Sequence, residues 1–148
     1  MTATEYRGEP ARHWTVKLRL AIEADNADAA LAVNSEVLQQ MSVAAESEPQ
    51  LTDFFVDSPR PCWYVITELD LSGLESVTPD DAPTRFKFVT RELPGMPFMG
   101  HGSSHAGLWE WLPDSWGSAG DPLFPHPGVR AAGIYVSAEA SDAWPGGR

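Results

Sequence analysis

Val16-Lys17-Leu18-Arg19-Leu20-Ala21-Ile22-Glu23 alternates apolar and polar side chains. A period of two belongs to a β-strand, so Val16, Leu18, Leu20 and Ile22 share one face while Lys17, Arg19 and Glu23 take the other. Asp25-Asn26-Ala27-Asp28 comes next. Either Asp25 or Asn26 can accept from the free N–H groups of a helix start, and acidic side chains suit its positive end. The pattern predicts a helix running to about residue 45, with Leu31, Leu38, Met41 and Ala45 on one stripe and Ala27 and Asn34 beside it. Pro49 is the expected stop.

Further out, Leu51-Thr52-Asp53-Phe54-Phe55-Val56 reads equally as a short strand or a helical turn. Residues 63–71 alternate again, with Trp63, Val65, Leu69 and Leu71 on one face, Thr67 among them, and Tyr64, Ile66, Glu68 and Asp70 opposite. A loop with Gly73, Pro79, Asp80, Asp81 and Pro83 follows, all turn formers. Arg85-Phe86-Lys87-Phe88-Val89-Thr90-Arg91 also alternates and is expected as a strand. Residues 105–112 are expected as a short helix, capped by Ser103-Ser104 and stopped by Pro113. A last strand lies within residues 128–137. Strand, helix, strand, strand, short helix, strand is the order of an α+β, ferredoxin-like split βαβ sandwich: a four-stranded antiparallel sheet under one long and one short helix. The alternative is another α+β arrangement with 93–128 as an excursion across the sheet. The chain then reads as a single domain over 1–148. It has a loose arm (1–13), a β-α-β-β core (14–92), a Gly/Pro/His/Trp-rich segment (93–128), a final strand (129–139) and a tail (140–148).

The chain has 148 residues, with 21 acidic side chains against 10 basic ones and a net charge of −11. That charge opposes nucleic-acid binding through a general basic surface, which needs phosphate neutralisation. A 43% hydrophobic share supplies a core and argues against disorder. Cys62 is the single cysteine, so neither an internal disulfide nor a cysteine zinc cage is available. No apolar run reaches the ~18 residues of a membrane span, and the first residues carry no hydrophobic stretch. The expectation is a cytoplasmic protein without membrane, metal or cofactor.

Six of the ten basic residues fall on the polar faces of the expected strands: Lys17, Arg19, Arg85, Lys87, Arg91 and Arg130. With the first and third strands adjacent they form one basic sheet face. Its plain reading is a salt-bridge lattice with Glu23, Glu68 and Asp70. The others are a surface for an acidic partner or a second copy, and a polyanion site, which the lack of stacking aromatics other than Tyr64 opposes. Acidic residues gather along the helix and the turn after it: Asp25, Asp28, Glu36, Glu46, Glu48, Asp53 and Asp57.

Gly100-His101-Gly102-Ser103-Ser104-His105-Ala106-Gly107 is the stretch most like a site. Glycines and serines before a helix can present N–H groups to an anion, with His101, Ser103, Ser104, His105 and Arg91 as ligand candidates. A plain capped turn competes with this, and no P-loop lysine follows. His101 and His105 with His126 and Glu110, Asp114 or Asp121 form a weaker metal set, without the His-Glu-x-x-His pattern. Ser104 as a nucleophile lacks the parallel sheet its turn requires. Trp109, Trp111 and Trp116 are either core or interface anchors. Cys62 reads as a small buried hydrophobe. The leading expectation is therefore a non-enzymatic, acidic protein-binding or regulatory domain, of inhibitor, immunity-like or adaptor type, that recognises a basic partner. Its rivals are a small-molecule or anion site, enzymatic or not, between sheet and 93–128, and a structural homo-oligomer subunit.

Overall fold

The strand expected from the first alternation is present as β1 (Thr15–Glu23). It is the pivot of a sheet larger than the sequence suggests. The computed structural model describes residues 14–55, 61–72, 81–90, 98–111 and 128–138. In chain order it contains β1, α1 (Ala27–Met41), β2 (Gln50–Phe55), β3 (Cys62–Glu68), α2 (Ala82–Thr90), β4 (Met99–Gly102), β5 (Ala106–Trp111) and β6 (Val129–Ser137). The strands form one six-stranded sheet in the order β2-β3-β1-β6-β5-β4. Every neighbouring pair is antiparallel. The expected four-stranded ferredoxin-like sandwich is therefore wrong. The central partners of β1 are β3 and β6, and two further strands extend the sheet beyond β6.

Two antiparallel steps make β1 parallel to β2, and four make β3 parallel to β4. Such pairs need a crossover, and each helix supplies one. α1 packs on β1 and β3, and α2 on β6, β5 and β4. Both lie on the same face, because Ala30, Val37, Leu38 and Met41 of α1 share one core with Ala82 and Val89 of α2. Val16, Leu18, Leu20 and Ile22 floor that core, as their alternation predicts.

Two misread segments explain the difference. Residues 85–91 alternate, yet they belong to helix α2. The Asp81 carboxylate accepts from the Thr84 N–H at 2.8 Å, and the Asp81 carbonyl takes the Arg85 N–H at 3.1 Å. Asp81 is thus a helix cap rather than a loop residue. Pro83 sits in the first turn, where a missing N–H costs nothing. Ala82, Arg85 and Val89 are the buried positions, at helical spacing. Residues 106–111, expected as helix, are strand β5. There Gly107, Trp109 and Trp111 alternate inward.

α1 begins where expected: Asn26 Oδ1 accepts from the Ala29 N–H at 2.8 Å. It ends at Met41, four residues before the expected end, with Ser42 in the left-handed conformation as its cap, so Pro49 is not its stop. The buried stripe is Ala30, Asn34, Val37, Leu38 and Met41, while Leu31 is half-buried. Asn34 reaches the sheet: its Nδ2 donates to Thr67 Oγ1 at 2.9 Å, with both residues fully buried. Asn34 Oδ1 has no hydrogen-bond partner. Removing one member of a buried pair strands the other, whereas removing both does not. Thr67→Val is expected to cost about 1–3 kcal/mol, and adding Asn34→Ala should recover part of that loss rather than add to it. Urea denaturation of the three variants measures this coupling.

Candidate functional site

The glycine-rich stretch 100–107 is a hairpin of β4 and β5, and its residues serve packing. The Trp109 indole stacks on Phe86 of α2, with ring centroids 4.4 Å apart and planes at 12°. Its other side lies across Gly102 and Gly107. A Cβ on Gly107 would meet Trp109 at 2.3 Å, and one on Gly102 would meet it at 2.8 Å. Gly100 has φ +142 and faces Leu108 O, so a side chain there is excluded twice over. The glycines form a shelf for an aromatic ring. They do not precede a helix, as an anion-binding turn would require.

His101 on β4, and Ser103, Ser104 and His105 at the hairpin tip, are all exposed. Ser104 Oγ lies 3.0 Å from His105 Nδ1, and Ser103 Oγ accepts from the His105 N–H at 3.2 Å. The second contact holds the turn. Among the described residues no group of three or more His, Cys, Asp or Glu is placed to hold a metal ion. Trp109 and Trp111 are core residues, 7% and 2% exposed. Arg91, Asp57, Trp116 and His126, with the Asp114 and Asp121 candidates, lie outside the described residues, as does the side chain of Asp53 on β2.

Of the six cations expected on one sheet face, Arg91 lies outside the described residues and the other five do not assemble there. Lys17 and Arg19 alternate with the core row of β1, so they point to the face away from the helices. Arg85 instead lies on α2, fully buried, its guanidinium 5.0 Å from the Trp14 ring. Lys87 is on the same helix and exposed. Arg130 is 7% exposed at the register shift where β6 gains a residue against β1. Arg19 reaches over β6 to Glu110 on β5, with N–O 3.5 Å, and lies 4.7 Å from the Tyr64 ring centre. Gly133 faces both Arg19 and Glu110 in register, so no side chain blocks the path between them. Sequence reasoning considered Glu110 only as a metal ligand. Its pairing depends on a strand that comes later in the chain.

Withdrawal of the cations changes the surface. Lys17 and Arg130 are 7% exposed, Arg85 is fully buried, and Arg19 is half-buried. Among the exposed described residues stand six carboxylates, Asp25, Asp28, Glu36, Glu46, Glu48 and Asp70, against one ammonium group, Lys87. The first five belong to α1 and the segments on either side of it. From Ala24 to Pro59 the sequence has no basic residue at all. This acidic face is the candidate site.

Cys62 is fully buried opposite Glu23. Burial pushes its thiol up to about 12. Glu23 adds to the rise, while Arg130 and the Trp63 backbone oppose it. Among the described residues, no helix is long and apolar enough to cross a membrane. No family model, curated protein or solved structure matches the chain.

Two predictions follow from this packing. Gly107→Ala should destabilise the fold by about 1–3 kcal/mol, because Phe86 holds the indole against the intruding methyl. Urea denaturation followed by tryptophan emission tests it; an unchanged midpoint would show that the ring can move away. A thiol reagent at pH 8 should modify Cys62 only through unfolding, since the nucleophile is the thiolate. The folded thiol stays neutral above the pH at which the unfolded one ionises. Its contribution to stability is therefore complete below about 9 and falls as pH rises towards 12.

Proposed function

We propose that this chain is a small, non-enzymatic acidic binding domain that recognises a basic surface on a protein partner in the cytoplasm, in an inhibitor, immunity-like or adaptor role. The observation that supports it is the exposed set of six carboxylates against one ammonium group among the described residues. Charge of one sign on one face raises the encounter rate with an oppositely charged protein and orients the approach. Asp25, Asp28 and Glu36 lie along or just before α1, and Glu46 and Glu48 on the segment leading to β2. Asp28 and Glu36 ride on a helix packed against the sheet, so that part of the array has a set backbone spacing. A second copy of the same face would be repelled, which opposes a homo-oligomer built through it. The single cysteine, buried and protonated, needs no oxidising compartment.

The test is capture from source lysate on the immobilised chain. Basic proteins should be retained at about 50 mM salt and released near 500 mM, where the screening length falls to a few ångströms. A variant carrying Asp25→Asn, Asp28→Asn, Glu36→Gln, Glu46→Gln and Glu48→Gln should lose that capture while keeping its circular dichroism. Equal capture by the variant, or none by the parent at either salt, refutes the reading.

A further inference from the structure

We infer that the groove at the C-terminal end of α1 is the seat for an arginine side chain of the basic partner. The groove, of about 260 Å³, lies between residues 41–44, residues 69–72 and α2, and its walls include Ser42, Asp70, Leu71, Ser72 and Phe88. This rests on the reading of the chain as a binder of basic proteins and names the contact that gives such binding a register.

Four features converge on a guanidinium. Among the described residues lining the groove, Asp70 is the only charged one. Its carboxylate is held in place, because Oδ1 accepts from the Ser72 N–H at 3.0 Å and the Asp70 N–H donates to Ala44 O at 2.8 Å. The end of α1 contributes the negative pole of a helix, and no basic residue in its last turn neutralises it. Ser42 and Ser72 bring hydroxyls that can accept, and Phe88, 40% exposed, offers a ring beside the aliphatic wall of Leu71. A planar cation with five donors on an apolar stem uses all of these at once. An ammonium brings three donors from a single point and lacks the flat fork that can bond the carboxylate twice. Among the described residues, Lys87 is next to Phe88 in α2 but does not line the groove, and no other Lys or Arg does.

The test is an amide-shift titration of the ¹⁵N-labelled full chain with acetyl-Gly-Arg-Gly-amide, and with the same peptide carrying neutral citrulline. The arginine peptide should give saturable shifts at residues 42–44 and 70–72. Its apparent affinity should exceed that of the citrulline peptide by about tenfold, as expected for loss of a charge-assisted contact. Asp70→Asn keeps the acceptor for the Ser72 N–H and should reduce the affinity by a similar factor. His101→Gln, on β4 and outside both the groove and the acidic array, should leave it unchanged. An equal response in Asp70→Asn, or shifts centred on Asp25, Asp28 and Glu36, overturns the assignment. Lysate capture would then still stand or fall by itself, because it reads the five carboxylates outside the groove.

Discussion

Val16, Leu18, Leu20 and Ile22 are fully buried on a strand that is hydrogen-bonded along both edges. The rest of the molecule is arranged around that row. β3 and β6 hold β1 in register from either side, and the two crossover helices share the core built on it. α1 covers the β3 side and α2 the β6 side. Neither helix has a wide apolar face. α1 buries five residues, one of them asparagine, and α2 buries three, one of them arginine. Short amphipathic helices of this kind are marginal alone and depend on the surface they cover. The sheet forms that surface, so the order of stabilisation runs from β1 outwards.

The same constraint accounts for where the positive charge goes. A sheet with helices on one face has a second face to finish, and its central strand contributes Lys17 and Arg19 there. Arg19 is fixed by Glu110 and Tyr64, an arrangement that needs the bare Gly133 between strands. Arg85 lies on the opposite side, within the helix layer and over Trp14. Cations used in this way serve the interior of the fold. The carboxylates on and beside α1 remain at the surface. The acidic face is therefore a consequence of packing as well as of composition.

Local chemistry made part of this legible in the sequence. β1 and β3 show clean alternation, and Asn26 marks the start of α1 because its side chain acts on the next three residues. The failures share a cause. In residues 85–91, aromatic residues at period two mimic a strand, while the helix signals before them, a capping Asp81 and a first-turn proline, are equally turn formers. In 103–111, two serines resembled a helix cap, although Trp109 and Trp111 two apart already carried the strand period. The acidic array could be read from charge counts. The burial of Lys17, Arg85 and Arg130 could not, since nothing local distinguishes a cation that will be enclosed. The groove beside Asp70 was also hidden, because three separate segments build it.

The sheet's two outermost strands stop its growth. β4 has four residues, and Gly100 gives it a φ that extended pairing does not use. β2 breaks its register between Leu51 and Asp53. An open β-sheet offers a template at each end, and a template that is short or out of step is a poor one for another chain to copy. The irregularities that look like flaws in the ladder thus terminate it. Among the described residues, each end of the ladder is a short or shifted template, which is the form that resists continuation into a fibril.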